Sequence, residues 1–187
     1  MPALEYNILK QSLDKEVLTH YPYFVETGTF KGKTIFSMEK HFKELHTIEL
    51  HPMWYKKARK RYKGNKIHFH LGDSGVKIKE VVKDLDDNTI FFLDSHWSKG
   101  NTAEGPKHVP LKEELDAIVT YFKHKAIIII DDFRLFGKMM GTGKKVNWTD
   151  IKKEGVCEIV QSRLVKEYHL SSSYANNDRL ILHLNKI

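Results

Sequence analysis

Cysteine and long apolar runs are scarce in this sequence. Its 187 residues contain one cysteine, Cys157, so an intramolecular disulfide is impossible and nothing indicates an oxidising compartment. The amino-terminal residues lack the basic and then apolar pattern of a signal peptide. No apolar run approaches the roughly 20 residues that cross a bilayer. These absences favour a cytoplasmic protein without a membrane span.

The composition is that of a globular chain. Hydrophobic residues make up 41% and charged residues 29% of the sequence, and the length suits one domain, which we predict to span 1–187. The net charge of +7 favours anionic partners. The basic run 56–61 falls on a periodic helix, however, and such a run is typical of a solvated outer face. Nucleic acid is therefore a less favoured partner, and the oligomeric state is left open.

Short apolar segments alternate with helical periodicity along the chain. The predicted helices cover a leading segment (1–20) and 33–42, 53–62, 76–85 and 111–122, and Thr149-Asp150 could cap a further helix through Ile159. The predicted strands are 23–26, 46–50, 67–71, 90–93, 126–130, 167–174 and 179–184, the last two joined by a turn-rich tetrapeptide. Helical crossovers produce parallel strands. The pattern predicts a Rossmann-like, doubly wound α/β fold with a mostly parallel seven-stranded sheet and an antiparallel last strand.

The turn after the first strand carries two glycines. Gly28 allows a ligand to approach the backbone closely, and Gly32 allows the next helix to begin tight against the sheet. The third glycine of the dinucleotide fingerprint is missing, which makes an oxidoreductase the least favoured enzyme. Glu49 ends the second strand, 21 residues after Gly28, where its carboxylate can accept hydrogen bonds from a ribose or cap the following helix. Asp73 follows the third strand and can reach an adenine or act as a helix N-cap.

These residues, in this order, resemble the class I S-adenosylmethionine-dependent methyltransferases over nearly the whole chain. The resemblance implies S-adenosylmethionine as cofactor, with Glu26 and Gly28 framing its methionine part, Glu49 its ribose and Asp73 its adenine. The full set of cofactor-binding residues expected on this basis is Glu26, Thr27, Gly28, Thr29, Gly32, Thr34, Glu49, Leu50, Asp73, Ser74 and Asp94.

Three acidic residues follow two strands that are expected to be neighbours. Asp94 ends the fourth strand, and Asp131 and Asp132 end the fifth. Their carboxylates would repel one another unless a cation joined them, and oxygen ligands suit Mg²⁺. These strand ends resemble the metal-dependent O-methyltransferases of the catechol and sugar types, which implies that the three aspartates are metal ligands. The alternative is that one or more of them caps a loop or neutralises basic neighbours.

Proton removal from an acceptor hydroxyl calls for a general base. His96, two residues after Asp94, is the first candidate, because an unperturbed imidazole titrates near pH 6.5. Lys99 is the reserve, since the catechol type uses a lysine, and His108 is a weaker candidate. The polar segments 98–110 and 137–148 are predicted active-site loops. Trp97 and Trp148 could form an apolar wall for the acceptor, although Trp148 suits core packing better.

The leading hypothesis is a metal-dependent O-methyltransferase that acts on a sugar hydroxyl in a glycan or glycosylated metabolite. A catechol-type small-molecule O-methyltransferase is the first alternative. An RNA methyltransferase draws support from the charge alone, and a cofactor-binding partner without catalysis is the remaining alternative.

Overall fold

The computed structural model describes residues 3–13, 15–98, 100–141 and 145–187. Seven strands form one sheet: β1 (Tyr23–Thr27), β2 (Glu44–Glu49), β3 (Ile67–Leu71), β4 (Thr89–Leu93), β5 (Ala126–Ile130), β8 (Leu164–Leu170) and β9 (Arg179–Leu184). Their spatial order is β3-β2-β1-β4-β5-β9-β8. Only β9 runs antiparallel, and it lies between β5 and β8. The predicted mostly parallel sheet with an antiparallel last strand is therefore confirmed.

Helices cover both faces of the sheet. One layer contains α1 (Tyr6–Ser12), α2 (Lys15–Thr19), α3 (Lys33–Met38) and α4 (Pro52–Arg61), and the other contains α5 (Ser74–Asp84), α6 (Leu111–Tyr121) and α7 (Lys153–Val160). The β5 strand shows why both faces must be covered. Ile127 and Ile129 point into the core under the first layer, while Ile128 and Ile130 point into the core under the second. A strand that is apolar on both sides is buried only between two such layers.

Several predicted boundaries were wrong. The helix predicted at 33–42 ends at Met38, and three other differences have a visible cause. The leading segment forms two short helices rather than one, because the chain is extended at Leu13 (φ −117°, ψ 139°), whose side chain is buried. Thr149 does not cap α7; its backbone N–H donates to Asn147 Oδ1 (2.9 Å), and the helix begins at Lys153. The strand predicted at 167–174 is β8, which ends at Leu170 because Ser172 Oγ turns to donate to Asp178 Oδ2 (2.5 Å).

A two-stranded ribbon lies outside the main sheet. It consists of β6 (Met139–Met140) and β7 (Val146–Asn147), and a short 3₁₀ helix at Phe133–Leu135 precedes it. In the described part of the chain, no helix combines the length and the apolar character needed to cross a bilayer.

The order of the strands reverses between β1 and β4. The two strands pair in parallel, with Thr27 opposite Leu93, so both chains leave the sheet at the same edge. Beyond that point Asp94 N donates to Thr27 O (3.2 Å), and Gly28 N donates to Ile48 O of the neighbouring β2 strand (2.9 Å). Ligands of doubly wound folds bind at such a reversal. The fold thus brings the turns after β1, β2 and β4 together.

Candidate active site

A cavity of about 460 Å³ opens at this edge of the sheet. The turns after β1, β2, β3 and β4 form its inner wall, and the segment 98–110 contributes its outer wall. Nine of the eleven predicted cofactor residues line it: Glu26, Gly28, Thr29, Thr34, Glu49, Leu50, Asp73, Ser74 and Asp94. Thr27 is instead buried beneath the cavity, where its Oγ1 accepts from Asp94 N (3.3 Å). Gly32 precedes α3 in a left-handed conformation (φ 70°).

Gly28 is required by the close approach of β1 and β4. Its φ of 87° lies in the left-handed region, and a Cβ at this position would stand 2.3 Å from Asp94 O. The absence of a side chain therefore allows the two strands to close together while leaving the cavity floor open. The role of Gly28 in admitting a ligand to the backbone stays a prediction.

Glu49 links the first two turns. Its carboxylate accepts from Phe30 N and from His51 N, each at 2.7 Å, and the side chain is buried. Burial raises the pKa of Glu49, and the two backbone donors oppose that rise. The N-cap of α4 is His51, whose Nδ1 accepts from Met53 N (3.2 Å), so Glu49 does not cap that helix. Glu49 thus presents a carboxylate, fixed by two backbone bonds, to the cavity.

Glu26 lies deeper in the same wall. Thr47 Oγ1 donates to Glu26 Oε2 (2.8 Å), and the Thr47 hydroxyl is also 2.5 Å from Thr29 Oγ1. Burial raises the pKa of Glu26 well above its ordinary value. No cationic side chain is paired with Glu26 among the ion pairs of the described residues. A buried carboxyl group with this environment fits a cationic ligand group, which would restore its ionised form.

Asp73 performs the capping role that the sequence left open. Its Oδ1 accepts from Gly75 N (3.0 Å) at the start of α5, and the residue also lines the cavity. The second carboxylate oxygen is thus the one placed to meet a ligand.

His96 lies between two aspartates at the end of β4. Its Nδ1 is 3.4 Å from Asp94 Oδ1, and its Nε2 is 3.1 Å from Asp132 Oδ2. Both carboxylate oxygens are buried and make no hydrogen bond of good geometry. The three side chains each offer one possible ligand atom, and these atoms lie within 4.8 Å of one another. The structure therefore brings Asp94, His96 and Asp132 together at the cavity.

Asp131 does not join this cluster. Its Oδ1 accepts from Arg179 Nε (2.9 Å), and both side chains are buried. Burial raises the pKa of Asp131 to about 7, with repulsion from Asp94 adding to the rise and Arg179 opposing it. The sequence predicts Asp131 as a metal ligand, and in the structure its carboxylate is paired with the Arg179 guanidinium from β9. The cluster that could hold a metal contains His96 together with Asp94 and Asp132.

Asp132 forms an ion pair with Arg134. Its backbone is left-handed (φ 59°), a conformation that aspartate tolerates better than most residues, and its Oδ1 accepts from Arg134. Arg134 also donates to both oxygens of Asp178 (2.8 and 2.7 Å). The expected repulsion among the aspartates is thus offset by Arg134, Arg179 and His96, all from this chain.

Burial and the nearby carboxylates have opposite effects on the pKa of His96. Burial lowers the pKa of the imidazole, but the nearby carboxylates of Asp94, Asp132 and Asp131 outweigh burial and raise it. Its ring also packs against Trp148, with centroids 5.0 Å apart. The adjacent acids therefore stabilise the imidazolium form of His96.

The other two candidate bases are differently situated. His108 Nε2 is 2.9 Å from Glu104 Oε1, its ring packs on Trp97, and the residue does not line the cavity. Lys99 lies outside the described residues.

The two predicted loops contribute unequally. The segment 98–110 lines the cavity through Ser98, Asn101, Thr102, Ala103, Gly105, Lys107 and Pro110, and Trp97 lies at its start. The described part of 137–148 forms the ribbon and does not line the cavity. Trp148 is buried in the core, as its packing alternative predicted.

Three further residues that position the site were not predicted. Arg134 and Arg179 hold the two aspartates after β5, as described above. Glu114 on α6 is fully buried and accepts from Ser95 Oγ (2.6 Å), the residue between Asp94 and His96. A signal existed for Glu114, since an acid stands among the apolar residues Leu111, Leu115 and Ile118 on one helix face.

Comparisons with solved structures identify this fold. TomG, an O-methyltransferase from Streptomyces achromogenes solved with S-adenosylmethionine, is 17% identical with a TM-score of 0.61, covering 91% of this chain and 75% of that chain. CalS10, an amino pentose methyltransferase from Micromonospora echinaspora, is 11% identical with a TM-score of 0.60, covering 99% and 100%. The N-methyltransferase NodS from Bradyrhizobium japonicum is 14% identical with a TM-score of 0.59, covering 97% and 95%.

No protein-family model and no curated protein sequence matches the chain. At these identities the solved structures establish the fold, which is that of the S-adenosylmethionine-dependent methyltransferases. They confirm the predicted Rossmann-like fold.

Proposed function

We propose that this chain is an S-adenosylmethionine-dependent O-methyltransferase that acts on a sugar hydroxyl, with His96 as the general base. The observation that carries the proposal is the position of His96 in the wall of the cavity, between Asp94 and Asp132. When bound, the cofactor supplies an electrophilic methyl group on a sulfonium. The fit is supported by the open floor at Gly28, by the buried Glu26 carboxyl and by the fixed carboxylate of Glu49.

Different residues of the chain would bind the cofactor and activate the acceptor hydroxyl. Glu26, Glu49 and Asp73 bind the cofactor along the inner wall. His96 would accept the proton from the acceptor hydroxyl through Nε2, which gives up its contact with Asp132 to do so, while Asp94 at Nδ1 orients the imidazole and stabilises its charged form. A positioned general base typically contributes about 10²–10⁴-fold in rate.

The residues of the outer wall of the cavity support a sugar as the acceptor. Ser98, Asn101 and Thr102 line it with polar side chains that suit hydroxyl groups, and Trp97 offers an aromatic face on which a sugar ring can pack. The similarity to CalS10, an amino pentose methyltransferase, agrees with this class of acceptor. The histidine two residues after Asp94 also favours the sugar type over the catechol type.

A divalent cation is the second candidate feature of this site. Asp94 Oδ1 and Asp132 Oδ2 are buried without a hydrogen bond of good geometry, which fits Mg²⁺ or a similar ion held by Asp94, His96 and Asp132. Such an ion would lower the pKa of a bound hydroxyl, and His96 would then serve as a ligand instead of a base. Asp131 is left out of this ligand set because Arg179 occupies its carboxylate.

The decisive experiment is a methyl-transfer assay against a panel of sugars, catechols and RNA. We expect turnover with a sugar acceptor, and exclusive turnover of a catechol or RNA would contradict the acceptor assignment. His96→Gln should lower turnover by about 10²–10⁴-fold. Its affinity for S-adenosylhomocysteine, measured by calorimetry, should stay within twofold of the wild type. His108→Gln is the matched control and should retain turnover.

Chelation separates the two ways of activating the hydroxyl. Activity that survives chelator treatment supports His96 as base and excludes the metal. Activity that is lost with chelator and restored by Mg²⁺ assigns the cluster to the metal.

A further inference from the structure

Four side chains of types that bind metals lie on one face of the β2–β3 pair, and three of them, Glu44, His46 and His68, lie in its half remote from the cavity. Glu44 and His46 stand two residues apart on β2, and His68 and His70 stand two apart on β3, so all four share one face of the sheet. The register places His46 directly opposite His68. Glu44 begins β2 and Glu49 ends it, which separates Glu44 from the cofactor wall by about 16 Å along the strand. The cluster is therefore distinct from the proposed active site.

The distances within this cluster suit a metal ion. Glu44 Oε1 is 2.9 Å from His46 Nε2 and 3.5 Å from His68 Nε2. Ligand atoms of a tetrahedral zinc site, with bonds of about 2.0–2.1 Å, are about 3.3 Å apart. One ligand atom from each of the three residues lies within 4.8 Å of the others. Only small side-chain shifts would be needed to place an ion among them.

We propose that Glu44, His46 and His68 bind Zn²⁺ or a similar divalent transition-metal ion, with His70 fixing the tautomer of His46. Two imidazoles and a carboxylate form a ligand set that zinc accepts in proteins, and a water molecule can complete the coordination. His70 supplies the outer hydrogen bond that metal-binding histidines usually make through the second ring nitrogen. Such an ion would join the edge strand β3 to β2.

The tautomer of His46 decides whether a cation is needed between its ring and Glu44. His46 Nδ1 is 3.0 Å from His70 Nε2. If His46 donates through Nδ1, its Nε2 turns a lone pair towards Glu44 Oε1, and two acceptors 2.9 Å apart need a positive charge between them. The opposite tautomer, in which His70 donates to His46 and His46 donates to Glu44, satisfies the network without a metal. The two arrangements predict opposite results in a metal titration.

The surroundings of the cluster leave access for an ion. The side chains of His68 and Glu44 are 50% and 36% exposed, which leaves a path from solvent. On the covering helix α5, Lys77 pairs with Glu80 (2.6 Å), so its positive charge is offset. Asp84 adds a negative charge near His46.

The test is a calorimetric titration of Zn²⁺ into chelator-treated protein. An Asp132→Asn background removes the other candidate metal site, so that uptake reports on this cluster. We expect one Zn²⁺ per chain in that background. Adding His68→Ala should lower the affinity at least about tenfold, because even outer partners of metal ligands contribute that much. Adding His20→Ala, at an exposed histidine outside the cluster, should leave the affinity unchanged.

A second measurement distinguishes loss of the metal site from a folding defect. Co²⁺ in place of Zn²⁺ should give the visible absorption of a tetrahedral site, and His68→Ala or Glu44→Gln should remove it while the far-ultraviolet circular dichroism stays unchanged. Zn²⁺ should also raise the melting temperature of the Asp132→Asn protein but not that of its His68→Ala derivative. Absence of Zn²⁺ binding in the Asp132→Asn background, or equal affinity with and without His68, would overturn the proposal.

Discussion

Arg179 donates to Asp131 across the boundary between β9 and the end of β5, with Nε and Oδ1 2.9 Å apart and both side chains about 1–3% exposed. The pairing of Ile130 with Leu180 in the antiparallel register sets these two residues side by side. One consequence is chemical, since the pair removes Asp131 from the cluster at His96. Another concerns stability, because a buried charge depends on its partner.

Replacing Arg179 alone should destabilise the fold strongly. Arg179→Met leaves the Asp131 carboxylate buried without its partner, and we expect a loss of about 3–5 kcal/mol in the free energy of unfolding. Urea denaturation measures it. The double variant Arg179→Met/Asp131→Leu removes both charges and should recover at least ~2 kcal/mol of that loss. Equal stability of the single and double variants would show that the pair is not coupled.

Gly28 and Gly137 offer a matched comparison of backbone strain. Both have positive φ (87° and 73°), but a Cβ at Gly28 meets Asp94 O at 2.3 Å, whereas nothing lies within 4 Å of a Cβ at Gly137. Gly137→Ala should cost about 1–2 kcal/mol for the left-handed conformation alone. Gly28→Ala should cost at least ~1 kcal/mol more and should also abolish S-adenosylhomocysteine binding. Thermal denaturation and calorimetry check both, and equal costs would refute the close approach.

Glu49→Gln should weaken cofactor binding more than it weakens the fold. The glutamine oxygen can accept from Phe30 N or His51 N, but the amide lacks the charge that strengthens bonds to ribose hydroxyls. We expect S-adenosylhomocysteine affinity to fall at least about tenfold, since a hydrogen bond to a charged group contributes about 1.5–3 kcal/mol. Glu80→Gln, at an exposed position on α5, is the control. Unchanged affinity in Glu49→Gln would remove Glu49 from the cofactor site.

Glu114 should make stability depend on pH. Burial raises its pKa, so the folded state binds a proton that the unfolded state releases above about pH 4.3. Because the pKa of Glu114 is higher in the folded state, the stabilisation that comes from binding this proton is present at low pH. It is lost as the pH rises towards and through the folded-state pKa. The Glu114→Gln variant lacks that loss, so its stability relative to the wild type should increase with pH. Urea denaturation from pH 4.5 upwards measures the difference, and a constant or falling difference would contradict it.

Gly155→Ala should stabilise the protein. Gly155 lies within α7, its φ is not positive, and a Cβ there meets no atom within 4 Å. Alanine restricts the unfolded chain and favours the helix, so we expect a gain of about 0.5–1 kcal/mol in the free energy of unfolding. Thermal denaturation would reveal the gain, and a destabilised variant would mean that the helix is strained at this point.

Much of the fold followed from local pattern. The strands Ile67–Leu71, Ala126–Ile130 and Arg179–Leu184 have the bounds that were predicted, because alternating or continuous apolar residues dictate burial within a few positions. The single helix predicted for the leading segment was wrong, since the periodicity of Leu4, Ile8, Leu13 and Val17 fits one helix and also fits two helices joined by an extended residue. Nothing local distinguishes these possibilities, and packing against the sheet selects the second.

By itself, the sequence determined the strand and helix order, the glycine turn and the acids that follow β2, β3 and β4. These features depend on the steric and hydrophobic preferences of residues that lie within a few positions of one another in the sequence. Only the tertiary structure decided that Arg179 pairs with Asp131, that His96 lies between Asp94 and Asp132, and that histidines of β2 and β3 meet. The partners are distant in the chain or depend on strand register, and sheet pairing alone fixes which charges become neighbours.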